Sequence, residues 1–165
     1  MLIRSINKRN SKFVIILLTA LLTGTLDATA ALLWNYKIKA VIIFQFIASG
    51  IFGKAAFAGG ANMVLWGIYL HYGIALLFTT AFYLTYPFFY SLFRNKYIVG
   101  AEYGLIAWMI MNLLVVPFSK IGRGPLHLSY VIAGMVILII CIGLPVALVA
   151  DRFNSARKNK VSGSK

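Results

Sequence analysis

Acidic side chains are scarce in this chain: three Asp and Glu stand against 16 Lys and Arg, for a formal net charge of +13. So few carboxylates leave little material for paired-acid catalysis. Histidine occurs twice, at His71 and His127, too isolated to make an HExxH zinc site. The single cysteine, Cys141, lies inside an apolar run, which excludes an intrachain disulfide and a multi-cysteine metal centre. Its simplest role is that of a small buried hydrophobe. There is no GxSxG elbow and no glycine loop leading into Lys-Ser or Lys-Thr. No metal and no cofactor is expected, and an enzyme, of which a lipid-modifying one is the only variety worth naming, ranks last.

The most telling scarcity is positional. Four long stretches carry no Lys or Arg: Phe13 to Tyr36, the run between Lys54 and Arg94, that between Lys96 and Lys120, and that between Arg123 and Arg152. A bilayer core about 30 Å thick needs roughly 20 apolar residues of helix to cross it, and each stretch is long enough. With 61% hydrophobic and only 12% charged residues, no soluble module is left room. The fold class expected is all-α: a polytopic membrane protein with four transmembrane helices plus one short interfacial or re-entrant helix. A net positive charge also suits nucleic acid, but here the cations flank apolar spans, where membrane orientation and anionic head groups account for them. The partner expected is the lipid bilayer, and no nucleic acid.

Three segments follow: a basic cytoplasmic stretch over 1–12, the four-helix domain over 13–150, and a basic tail over 151–165 that reads as disordered. With the amino terminus cytoplasmic, Arg4, Lys8, Arg9, Lys12, Arg94, Lys96, Arg152, Arg157, Lys158, Lys160 and Lys165 fall inside, while Lys37, Lys39, Lys54, Lys120 and Arg123 fall outside. That excess favours both termini in the cytoplasm of a cell with this as its inner membrane. Trp34 and Trp66 then lie near the outer interface. A rival reading exists at the start. The basic residues, the apolar Phe13–Leu22 and the Ala28-Thr29-Ala30 site are the parts of a signal peptide. Apolar sequence resumes at Ala31, however, and a retained helix is preferred.

Residues 40–53 read AVIIFQFIASGIFG, short for a span and suited to an outer helix lying on or dipping into the membrane. Gln45 and Ser49 give it a thin polar stripe. The Gly59-Gly60 pair marks a turn into the second long span, about 61–90, with Pro87 as a kink or stop. The third span covers about 98–117 and the fourth about 128–150, with Pro145 in its last turns. GRGP, within 119–126, reads as a turn.

Asp27 stands out among polar residues. An aspartate inside a span costs about 2.5–3.5 kcal/mol on an insertion scale, so it is expected to face the bundle and to have a partner. Ala20, Gly24 and Ala28 make a narrow face beside it, where another helix can approach closely. The second span carries a stripe at helical spacing: Gly67, His71, Ala75, Thr79. At a rise of about 1.5 Å per residue, Asp27 lies roughly 14 Å below Tyr36 and His71 roughly 15 Å below Ala61, at matching depth. Such a pair can bind or relay a proton, since imidazole titrates near neutrality. The plainer alternative is a carboxyl and an imidazole satisfied by backbone groups. Asn112, one turn from Trp108, is expected to bond across helices. Glu102, between Gly100 and Gly104 but turned from their face, is expected to snorkel or to pair with Lys96 or Arg94. His127 reads as an interfacial residue.

Several strings are familiar together: GTLDATAA at 24–31, ASGIFGKAAFAGG at 48–60, HYGIA at 71–75, MNLLVVPFS at 111–119 and IGLPVAL at 142–148. The pattern resembles small bacterial inner-membrane proteins of unknown function and is similar in layout to the YagU-like four-helix type. The resemblance implies Asp27, Lys54, His71, Asn112 and Pro117 as motif residues. It also implies a further histidine in the last helix, where this chain has Leu138.

Two functions compete, with the structural or accessory one placed first and the permease as its alternative. A structural or accessory membrane component needs only packing surfaces. A small-solute or proton-linked permease needs a polar path, with Asp27 as the binding carboxyl, His71 its partner, Asn112 a supporting donor and Lys54 at the outer entrance. Four helices enclose little lumen, so a permease is expected to act as a homo-oligomer or with a membrane partner.

Overall fold

In the computed structural model, backbone is described for residues 2–122 and 127–162, and side chains for 12–122 and 127–153. The described residues are helical apart from short connections. Helix α1 is Leu2–Trp34, α2 Ala40–Phe52, and α3 Gly60–Phe93, with a 3-10 segment, Gly53–Ala58, between the last two. Helix α4, Lys96–Met109, passes through a π-helical stretch, Ile110–Val115, into α5, Val116–Phe118. Helix α6, Leu128–Leu138, likewise passes through Ile139–Gly143 into α7, Leu144–Ser162. Only Ser119–Gly122 of the GRGP connection is described on its near side; Arg123 to Leu126 lie outside the described residues. The backbone of the basic tail, read from sequence as disordered, is helical to Ser162.

Among the described residues five segments are long and apolar enough to cross a membrane: 12–34, 40–58, 60–93, 96–118 and 128–153. The second reaches 19 residues because the 3-10 segment extends α2, which on its own has 13. Large apolar side chains turn outward along these helices, as lipid requires. On α3, Leu77, Leu84, Phe88 and Leu92 are all more than half exposed.

The long helices alternate in direction. Gly24 of α1 meets Tyr72 and Ala75 of α3, and Thr19, further back along α1, lies beside Tyr83, further along α3. Tyr103 of α4 donates its hydroxyl to the Phe78 carbonyl of α3. Gly100, Gly104 and Trp108 of α4 face Ala147, Ile139 and Gly134 respectively. The α3–α4 turn is tight. Arg94 closes α3 in the left-handed region at φ 51°, and the Asn95 side chain accepts from the N–H groups of Tyr97 and Ile98 at 2.9 and 3.4 Å.

Prolines act differently in three places. Pro117 and Pro145 cannot donate to the carbonyls of Leu113 and Cys141, and both of those carbonyls lie in the π-helical stretches. Pro87, expected to kink or stop its span, does not stop it: α3 continues through it to Phe93. In apolar surroundings ending the helix there would strip more backbone groups of partners than the single missing N–H does.

The core lies between α3, α4 and α7, around Phe82, Val99, Tyr103 and Val146. Phe82 stacks edge-on against Tyr103 at 4.2 Å between centroids and lies 5.5 Å from Tyr86. At the end of the bundle beside Arg94, Lys96 and Asp151 form an ion pair at 3.2 Å, and the Tyr86 hydroxyl donates to the same carboxylate at 3.3 Å. Lys96 is thus taken by Asp151 and not by Glu102. Among the described residues Glu102 has no ion pair. Sequence reasoning passed over Asp151 because it opens a basic tail. Its antiparallel position opposite Lys96 was the available signal.

Candidate functional site

Five elements converge on one cavity of about 280 Å³. Asp27, Ala28, Ala31 and Leu32 come from α1, and Ile43, Phe44, Phe46 and Ile47 from α2. His71, Ile74, Ala75 and Phe78 come from α3, and Ala107 and Met111 from α4 and its π stretch. Leu138 and Ile142 close the last side. Asp27 and His71 are the polar side chains of that wall; the rest are apolar.

Local sequence explains how the walls are held. Helix α2 crosses α3 in backbone contact, because Gly67 leaves room for the Phe44 carbonyl where any Cβ would collide. Its polar stripe turns inward. Gln45 and Ser49 are buried, Gln45 Nε2 donating to the Gly60 carbonyl at 3.4 Å and Ser49 Oγ to that of Phe46 at 2.7 Å. The far end of α2 is tied to the end of α5: the Lys120 N–H donates to the Gly50 carbonyl at 2.9 Å. On the opposite wall, each π-helical stretch supplies one lining residue, Met111 and Ile142.

The two titratable groups are close but not bonded. His71 Nε2 lies 2.8 Å from the Gly24 carbonyl across the α1–α3 contact. No ion pair joins His71 to Asp27 within 4.0 Å, and the Asp27 carboxyl has no hydrogen bond to a described residue. His71 is thus anchored by backbone, while Asp27 faces the cavity. Next to this contact, Thr25 Oγ1 and the Tyr72 hydroxyl share a hydrogen bond at 2.9 Å.

The remaining sequence candidates fall elsewhere. Asn112 makes no bond across helices to a described residue. Its amide turns back to the Trp108 carbonyl of its own helix at 3.0 Å, and Met111, one residue earlier, takes the cavity wall. Lys54 is exposed on the 3-10 segment and is not part of the wall. Pro117 is the second residue of α5, and His127 is exposed at the start of α6. Leu138, by contrast, lines the cavity itself.

Below the cavity, two buried hydroxyls of α3, Thr79 Oγ1 and Tyr83 OH, have no hydrogen bond within 3.5 Å among the described residues, although Thr19 lies beside Tyr83. They face the α1 side, where Thr23 and Thr19 are buried and donate to carbonyls of their own helix. Buried hydroxyls without partners are places where water is commonly held. Among the described residues no cluster of three His, Cys, Asp or Glu could hold a metal. Searched against protein-family models, curated proteins and solved structures, the chain matches none.

Proposed function

We propose that this protein is a multi-pass component of a bacterial inner membrane in which four helices cross, α2 caps the outer end, and both termini are cytoplasmic. The opposite running of α1 and α3 supports this topology, since a connection that itself crossed would leave them parallel. So do the ties from α2 to Gly60, Gly67 and Lys120, all near the same end of the bundle. A reporter fused after Lys54 is expected to read outside and one at Lys165 inside. An outside reading at Lys165 overturns the topology.

Within that frame the protein acts as a proton-linked small-solute permease, with the α2-capped cavity as its binding chamber. One observation carries this reading: an intramembrane carboxyl facing a partly open, largely apolar cavity beside an imidazole. Such a group is expensive to keep in a span, and packing alone has no need of it. The seam of hydroxyls at Thr79 and Tyr83 leads from the chamber towards the other side and suits bridging water. A structural or accessory role, the second reading, is favoured by a different observation. Phe78, Phe82, Tyr86 and Tyr103 fill the bundle below the chamber.

The test is reconstitution in liposomes loaded with a pH-sensitive dye. With a panel of small organic amines, alcohols and acids supplied outside, wild type is expected to dissipate an imposed pH gradient beyond the leak of empty liposomes, and Asp27→Asn, which keeps the shape and removes the titration, to abolish that excess flux at unchanged yield. Wild-type liposomes as tight as empty ones would leave the accessory reading in place.

A further inference from the structure

The chamber's chemistry is one-sided, and from it we infer that the ligand is a small organic ammonium ion with an apolar body. This inference rests on the permease reading for its setting, but it concerns what the chamber recognises. A backbone carbonyl only accepts, so the 2.8 Å contact to Gly24 requires a proton on His71 Nε2. In the tautomer protonated at Nε2 alone, Nδ1 carries a lone pair, and it has no partner among the described residues. Asp27 adds carboxylate oxygens that are likewise unbonded to described residues. No Lys or Arg belongs to the wall. The one group of the wall that could offset an ionised Asp27 is His71, and only by taking a second proton on Nδ1; with neither that proton nor a ligand cation, a buried carboxylate is strongly disfavoured.

A ligand that brings both a positive charge and N–H donors meets both needs. An ammonium group can donate to Asp27 and to His71 Nδ1, while Ile43, Phe44, Ile74 and Leu138 enclose its hydrocarbon part. The volume of about 280 Å³ lies near the lower end of ligand pockets, which suits a single ring or a short branched chain. An anion brings no positive charge to offset Asp27 and adds a second negative charge to an apolar wall, and a neutral alcohol forgoes the charge pairing. Asp27 then holds either a proton or the ammonium, so binding of one releases the other. That competition is the coupling a proton-linked carrier requires.

Calorimetric titration of the full chain in phosphatidylcholine nanodiscs, at neutral pH, decides the matter with three isosteric probes: benzylammonium, benzyl alcohol and benzoate. Benzylammonium is expected to bind at least about tenfold more tightly than benzyl alcohol, benzoate not to bind, and Asp27→Asn to remove the ammonium preference. The wild-type ranking stands by itself even where the variant folds poorly. Equal binding of benzylammonium and benzyl alcohol overturns the ammonium assignment and keeps the chamber. Failure of all three probes, with dye flux intact, also overturns it and leaves the permease reading standing. Asp27-dependent ammonium binding without any dye flux supports the assignment and removes transport.

Discussion

Gly143→Leu should cost the folded protein about 3 kcal/mol or more, the upper end of what overpacking does to a close-packed interior. The Cβ of any residue at 143 would coincide with the Gly100 carbonyl, and one at Gly100 would press on the Gly143 carbonyl and Ala147. These are backbone-to-backbone contacts, so no side chain can rotate away. Membrane helices also lack a hydrophobic drive to reassociate once parted, because lipid is as apolar as the partner. What holds α4 against the π-helical stretch of α6 and α7 is close dispersion contact, which falls away within an ångström of separation. Unfolding measured in bicelles checks the value. Gly73→Ala is the matched control: a Cβ there meets nothing within 4 Å, and alanine is the better helix former by about 1 kcal/mol. A Gly143→Leu protein as stable as the control would mean that the two backbones do not touch.

That contact also shows where the sequence stops being informative. The long helices were legible because the cost of carrying Lys or Arg through lipid writes itself directly into the chain as cation-free runs. Gly100 and Gly104 were visible as a GxxxG pattern, yet the pattern is common in apolar sequences and does not name its partner. The partner is an isolated glycine two residues before Pro145, inside a π-helical stretch whose register the one-dimensional pattern does not encode. Helix α2 was recognised as too short to resemble the other spans. Its continuation as GKAAFA has no apolar period, so the 3-10 extension to Ala58 was not foreseen. At the site, the small-residue faces around Gly24 and Ala75 announced a close α1–α3 approach and equal depth for Asp27 and His71. Which atom His71 would meet depends on rotation of α3 by a fraction of a turn, and the choice fell on the Gly24 carbonyl. Asn112 shows the same limit: its amide satisfied itself one turn back on its own helix, an option open to any Asn in a helix.

Phe82→Ala should add a proton leak that does not depend on Asp27. Phe82 is fully buried, edge-on to Tyr103 and beside Tyr86, one turn below Phe78 on the chamber floor. In water-soluble cores Phe→Ala costs about 3–5 kcal/mol, part of it for transfer from water and part for the void left behind. In a bilayer the unfolded helices already sit among apolar tails, so the transfer part shrinks and the void part remains; about 2 kcal/mol is expected. The void lies under the chamber and next to the unpartnered Thr79 hydroxyl, so it lengthens the cavity along the hydroxyl seam rather than opening a separate pocket. Liposomes carrying Phe82→Ala should therefore dissipate a pH gradient faster than wild type, and adding Asp27→Asn should no longer stop them, because protons then cross on water instead of through the carboxyl. Leu84→Ala, two residues on but facing lipid, should change neither stability nor flux appreciably. Were Phe82→Ala to lose its stability yet remain as tight as wild type, the aromatic layer would be packing alone, and the barrier between chamber and far side would have to lie beyond Tyr86.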